Sequence, residues 1–150
     1  MPSFKFPLAA VLRLRERVQE AKEMELRALN QEAARHETTI AKLSAELDRL
    51  GDELSAQAGQ IFSPAELKWS ADYAQSLTRR IEQAQQSLAK LRGQVAQRQQ
   101  ELTEAMRDVK SLEILRRRLE DKFRHEQDVA EQKFLDELGQ RKFLRQGRRQ

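Results

Sequence analysis

The chain has 150 residues, enough for one ordinary domain, but 35% are charged, 5% are aromatic and the mean hydropathy is −0.82. A globule needs several layers of apolar residues, and a chain this polar does not supply them; the classes left are long helix, coiled coil or disorder. Lys and Arg number 28 against 24 Asp and Glu, a net of +4 that is mostly interspersed, and the lack of Cys excludes disulfides and thiolate chemistry.

The first element begins at FKFPLAAVLRLRE, Phe4 to Glu16. Its apolar run is broken by Arg13, Arg15 and Arg17, with no small-residue cleavage site after it, which is not a secretory pattern. No run in the chain approaches the ~18 apolar residues of a membrane span. Pro7 and the scarcity of early basic residues also make a poor interfacial anchor. The expectation is a cytosolic protein whose opening segment starts a helix.

That helix is expected over about residues 8–58. Ile40, Leu43, Leu47, Leu50 and Leu54 are spaced 3, 4, 3, 4, and stepping back gives Leu26, Leu29, Ala33 and His36. This is the stripe of a left-handed coiled coil, whose seam repeats every 3.5 residues. Upstream, Val11, Leu14, Val18 and Ala21 keep the alternation one residue out of phase. Joining the blocks adds a step of four, a stutter, so a straighter helix is expected near residues 21–29.

AGQIFSPAE follows. Gly59 suits the left-handed position that ends a helix, Ser63 reads as an N-cap, Pro64 as the first helical residue, and Glu66 as the acid that reaches back to Ser63. The second helix is expected over about 64–144. From Ala74 through Leu77, Ile81, Ala84, Leu88, Leu91, Val95, Arg98, Leu102, Ala105 and Val109 to Leu112 its stripe is unbroken, which excludes disorder there; beyond, it drifts through Leu115, Leu119, Phe123, Ala130, Phe134 and Leu138.

A short link between two such helices folds them into an antiparallel hairpin. The fold expected is therefore all-α, a long antiparallel two-helix coiled coil. It has an N-terminal tail over 1–7, the hairpin over 8–144 with its turn at 59–63, and a basic tail over 145–150. The helices would run about 75 Å and about 120 Å. Residue i would face roughly residue 122 − i, placing Leu8 near Ile114 and leaving helix two overhanging from about 115. Leu119, Phe123, Phe134 and Phe143, with Phe4 and Phe6, would then expose apolar surface at the end where both termini gather.

Catalytic patterns are missing. His36 and His125 lie on opposite halves, and no phosphate loop, HExxH or nucleophile elbow occurs. The reading is a binding protein, not an enzyme, with no cofactor and no metal. RKFLRQGRRQ at the end carries Arg141, Lys142, Arg145, Arg148 and Arg149 without an acid, but only Phe143 is there to stack on bases, so nucleic acid is not the expected partner. Trp69 and Tyr73, four apart at heptad positions c and g, either offer a contact surface or cap the loop end against Ile61 and Phe62.

The motif F-K-F-P-L-x-x-V-L-x-L-R-E at Phe4 to Glu16, at the head of such a hairpin, resembles the FliJ family of flagellar export proteins. KFLDELGQRK, Lys133 to Lys142, is similar to that family's C-terminal pattern. The resemblance implies a component of bacterial flagellum biogenesis and type III protein export, similar to the stalk subunit of rotary ATPases. It implies a tip that inserts into the hexameric export ATPase, here Phe4, Phe6, Leu8, Val11, Leu12, Arg13, Arg116, Arg117 and Phe123. It also implies contact with the cytoplasmic domain of the membrane export gate through Trp69, Tyr73 and Leu77, escort of export chaperones, and recruitment to the cytoplasmic face of the inner membrane at the flagellar base. A generic coiled-coil scaffold, or the stalk of a virulence type III system, stays open as the alternative.

Overall fold

A computed structural model describes residues 2–148; Arg149 and Gln150, part of the expected basic tail, lie outside the described residues. Two helices make up nearly all of it, α1 (Ala9–Ala56) and α2 (Pro64–Arg148), packed against each other as a helical hairpin with no strand among the described residues. The last turn of α2 continues to Arg148, past the expected end near 144. Arg145 and Arg148 place positive charge against the partial negative charge of the helix C-terminus there.

The turn is built as its residues require. The amides of Gln57, Ala58 and Gln60 donate to the carbonyls of Glu53, Ser55 and Gln57, closing α1 in a tightening turn. Gly59 has φ of 98°, the left-handed region where a Cβ is penalised. Ser63 Oγ accepts the amide of Glu66 at 3.2 Å and the Ser63 carbonyl accepts the amide of Leu67, which together start α2. The expected reciprocal bond, donated by the Ser63 amide to the Glu66 carboxylate, is not made; Glu66 instead lines a groove with Trp69. A Cβ at Gly59 would meet no atom within 4 Å, so the cost of Gly59→Ala is backbone strain alone. A loss of about 1–2 kcal/mol is expected, read as a lower thermal midpoint.

The chain divides into two compact units, Glu20–Thr103 and Met1–Gln19 with Glu104–Gln150. Within Glu20–Thr103 the helices run antiparallel, since Lys22 meets Glu101, Glu37 meets Arg92 and Glu46 meets Tyr73. Lys22–Glu101 and Glu46–Tyr73 fall within three residues of the expected 122 − i register, whereas Glu37–Arg92 lies seven residues off it. Ala33 on α1 and Leu77, Ala84, Leu88 and Leu91 on α2 are buried, and Leu26, Leu29, Ile40, Leu43, Leu47, Leu50 and Leu54 are half-buried, as the heptad stripes require. Two helices cover each seam residue from one side only, so most of the stripe stays partly open.

Ion pairs flank this seam. Lys22 Nζ and Arg98 each reach Glu101 at 2.9 Å, and Arg98 also lies 3.6 Å from Glu25. Arg98, which falls on the seam in the sequence, is thus half-covered and neutralised at its edge. The hydrogen bonds from Lys22 and then Arg98 hold the Glu101 carboxyl below the usual glutamate range. A depressed carboxyl contributes stability above its unfolded pKa and loses it as pH falls through the folded one. Melting between pH 7 and pH 3 should therefore show stability declining below about pH 4.3. Glu101→Gln should melt lower at pH 7 and show a shallower acid decline.

Within Met1–Gln19 and Glu104–Gln150, Leu12, Ala105 and Val109 are buried, and Glu16, Gln19, Leu112, Leu119 and Phe123 are half-buried. The phase expected for the start of α1 is corrected here. Leu12, at 5% exposure, faces α2, while Val11, Leu14 and Val18 are exposed, Leu14 at 59%. The face of α1 runs through Leu12, Glu16 and Gln19 without the extra step of four that the Val11–Leu14–Val18 stripe would need. Arg15 and Asp108, 3.7 Å apart, fix the antiparallel register.

Phe4 packs against Phe123 with ring centroids 5.7 Å apart and planes tilted by 48°. Coverage of α2 therefore lasts to Phe123 instead of ending near 115. The reason is geometric: the segment before α1 is not helical, and non-helical chain advances further per residue than the ~1.5 Å of a helix. Residues 124–148 of α2 are exposed throughout and rely on pairs along the helix, such as Arg124 to Glu120 at 3.2 Å.

Candidate functional site

Two surfaces hold the residues that the sequence marks for binding. The first lies in the unit that contains the start of α1. Leu8, Val11, Leu14 and Val18 fall on one side of the helix at spacings of 3, 3 and 4, all exposed, while Leu12 turns into the seam. Arg13, Arg17, Arg116 and Arg117 are exposed as well. An apolar stripe among cations suits a partner with an apolar, acidic face. Of the residues expected at this tip, Leu8, Val11, Arg13, Arg116 and Arg117 are therefore accessible, and Leu12 is a packing residue. Phe4, Phe6 and Phe123 are half-buried, Phe4 and Phe123 against each other. Leu14 and Val18 were not singled out by the sequence as contact residues, because they read there as seam.

The second surface lies at the loop end, within Glu20–Thr103. Trp69, 64% exposed, stacks on Tyr73 with centroids 5.3 Å apart and planes 12° from parallel. Four-residue spacing on a helix puts the rings one above the other. The Tyr73 hydroxyl donates to Glu46 on α1 at 3.1 Å, and this bond to a carboxylate raises its pKa above the usual tyrosine value. Arg49 also grips Glu46, and that bond, ahead of Tyr73, pulls the Glu46 carboxyl below its usual range. Tyr73 is thereby oriented, its ring edge half-covered and its neighbour Trp69 left open. Leu77, expected as the third member of this surface, is 2% exposed and belongs to the seam.

Trp69 also forms one wall of a groove of about 430 Å³ with Leu50, Leu54 and Phe62, edged by Glu53 and Glu66. Phe62 lines it as the loop-end cap would require, whereas Ile61 is fully exposed. Among the described residues no group of three His, Cys, Asp or Glu is placed to hold a metal ion, and no helix is long and apolar enough to cross a membrane.

These features define an antiparallel coiled-coil hairpin whose candidate functional parts are exposed apolar faces on its helices and loop end. The family model described as flagellar FliJ protein matches residues 4–148. The chain belongs to that family and is a component of flagellar type III protein export. No curated protein and no solved structure matches it.

Proposed function

We propose that the chain is the non-catalytic stalk of the flagellar export apparatus, inserting the unit that carries both termini into the hexameric export ATPase and raising its turnover. The observation that supports this most directly is the exposed stripe Leu8, Val11 and Leu14, with Arg13, Arg116 and Arg117 exposed in the same unit, in a chain matched by the family over 4–148. Hydrophobic area beside a cationic rim gives an on-rate from charge and a hold from apolar burial. In the same reading Trp69 and the open edge of Tyr73 contact the cytoplasmic domain of the export gate, with Leu77 supporting them from beneath. Escort of export chaperones and recruitment to the inner membrane at the flagellar base complete the role.

The test is ATP turnover by the export ATPase of the same organism, with and without the chain, at several ratios. A rise that saturates with added protein is expected. No rise with an active ATPase sinks the stalk role. Loss of gate binding in Trp69→Ala, with the ATPase stimulation unchanged, is the separate result expected for the loop end.

A further inference from the structure

Neither the loop end nor the last turns of α2 contribute a residue to the exposed stripe Leu8, Val11 and Leu14, and the two are complementary. From Glu46 to Asp72 the sequence holds six acids, Glu46, Asp48, Asp52, Glu53, Glu66 and Asp72, against two bases, Arg49 and Lys68, although the whole chain is basic. From Arg141 to Arg148 it holds four bases and no acid. The groove at the loop end is lined by the apolar Leu54, Phe62 and Trp69 and by the acidic Glu53 and Glu66. Glu66 makes no ion pair among the described residues. Glu53 reaches only Arg49, at 3.6 Å.

The last turns of α2 carry the matching shape. Phe143 is 75% exposed with Leu144 beside it, and Arg141 and Arg148 lie three residues before and four after Leu144, on the same face. None of these cations makes an ion pair among the described residues. Gly139 and Gly147 stand one turn before and one turn after Phe143. Glycine is a poorer helix former than Ala, and a Cβ at either would meet nothing within 4 Å, so packing within the described residues does not require them.

We propose that the loop-end groove receives Phe143 and Leu144 of a second copy of this chain, with Arg141 and Arg148 of that copy meeting Glu53 and Glu66. The contact is proposed between copies: the donor turn belongs to the last two turns of α2, and the groove residues to its first two turns, the link before it and the end of α1. It is heterologous: one copy gives its C-terminal turn, the other its loop end. The groove's ~430 Å³ lies within the size range of sites that enclose a ligand group, ample for a phenylalanine ring.

Trp69 is the sole tryptophan, so its emission reports the groove directly. Sedimentation of the full chain at low salt, up to about 500 µM, should show a mean mass that rises with concentration, with Trp69 emission shifting to the blue; a contact this small is expected in the weak range. Phe143→Ala and Trp69→Ala should each reduce association at least ~tenfold, as truncation of a central aromatic does. Mixed together, they should pair, because Phe143→Ala keeps an intact groove and Trp69→Ala an intact donor turn. In that mixture the only tryptophan sits in the receiving groove, and its blue shift should return. Glu53→Lys with Glu66→Lys should abolish self-association and regain it with a partner carrying Arg141→Glu and Arg148→Glu.

A chain that stays monomeric over the whole range overturns the proposal. So does association that persists in both aromatic variants, which would assign it to other exposed apolar residues of α2. Failure of the two variants to pair when mixed would overturn it as well, provided each melts like the parent chain. None of these readings depends on the export ATPase, so the contact and the stalk role stand or fall separately.

Discussion

Leu77→Ala is expected to cost about 2–5 kcal/mol, the range for deleting most of a buried leucine, and to lower the thermal midpoint by roughly 6–15 °C. Leu77 is the least exposed large side chain in the molecule, at 2%, while other seam leucines such as Leu43, Leu47 and Leu50 stay half-open. It lies one turn past Tyr73, whose hydroxyl is tied to Glu46 on α1, so the cavity would open beneath an already anchored ring. The damage should be local first. Amide exchange across residues 70–81 should accelerate before that of the Leu88–Leu91 region, because a two-helix seam opens in segments. Trp69→Ala, on the exposed side of the same helix, should leave the midpoint within about 0.5 kcal/mol. The pair separates packing from recognition. If both variants lose gate binding but only Leu77→Ala melts early, Leu77 acts through the fold. A loss below about 1 kcal/mol for Leu77→Ala would show that the loop end is not held by this residue.

Most of the hairpin is legible in the sequence because its physics is local and periodic. The 3, 4 spacing from Leu26 to Leu54 and from Ala74 to Leu112 identifies the face that each helix buries, and Gly59, Ser63 and Pro64 mark the reversal between them. Legibility fails at the start of α1, where two stripes compete. Val11, Leu14, Val18 and Ala21 form the more apolar one, yet the seam continues through Leu12, Glu16 and Gln19. Counting apolar residues rewards the first stripe; carrying the alternation of Leu26 backward gives Lys22, Gln19, Arg15 and Leu12, which is the second face except that Glu16 is covered in place of Arg15. Covered polar positions become tolerable when charges meet a partner, as Lys22 does with Glu101 within Glu20–Thr103. The Phe4–Phe123 contact had no local signal, since it joins a non-helical segment to a residue well over a hundred positions away. Glu66 shows the limit of motif reading: the capping sequence is present, and Ser63 does its half, but the acid serves a groove.

The correction at α1 changes which variants test the stalk role. Val11→Gln with Leu14→Gln removes apolar character from an exposed face and touches no seam residue. This double variant is expected to reduce stimulation of the export ATPase at least ~tenfold, as loss of an interface centre does, while its thermal midpoint stays within about 2 °C of the parent. Leu12→Ala should do the reverse in kind, losing about 2–5 kcal/mol of stability at a position 5% exposed and losing stimulation only as folded protein is lost. Phe4→Ala falls between, because it releases the segment packed on Phe123 and so exposes the ring that the segment covers. Arg116→Glu with Arg117→Glu, both exposed, should slow association and flatten its salt dependence, with a smaller effect at saturating protein. Dose–response curves of ATP turnover, with a melt for each variant, distinguish these outcomes. Full stimulation by the Val11/Leu14 variant together with none by Phe4→Ala would move the working surface from the exposed stripe to the Phe4–Phe123 junction. Full stimulation by all four would remove this end of the molecule from the ATPase contact.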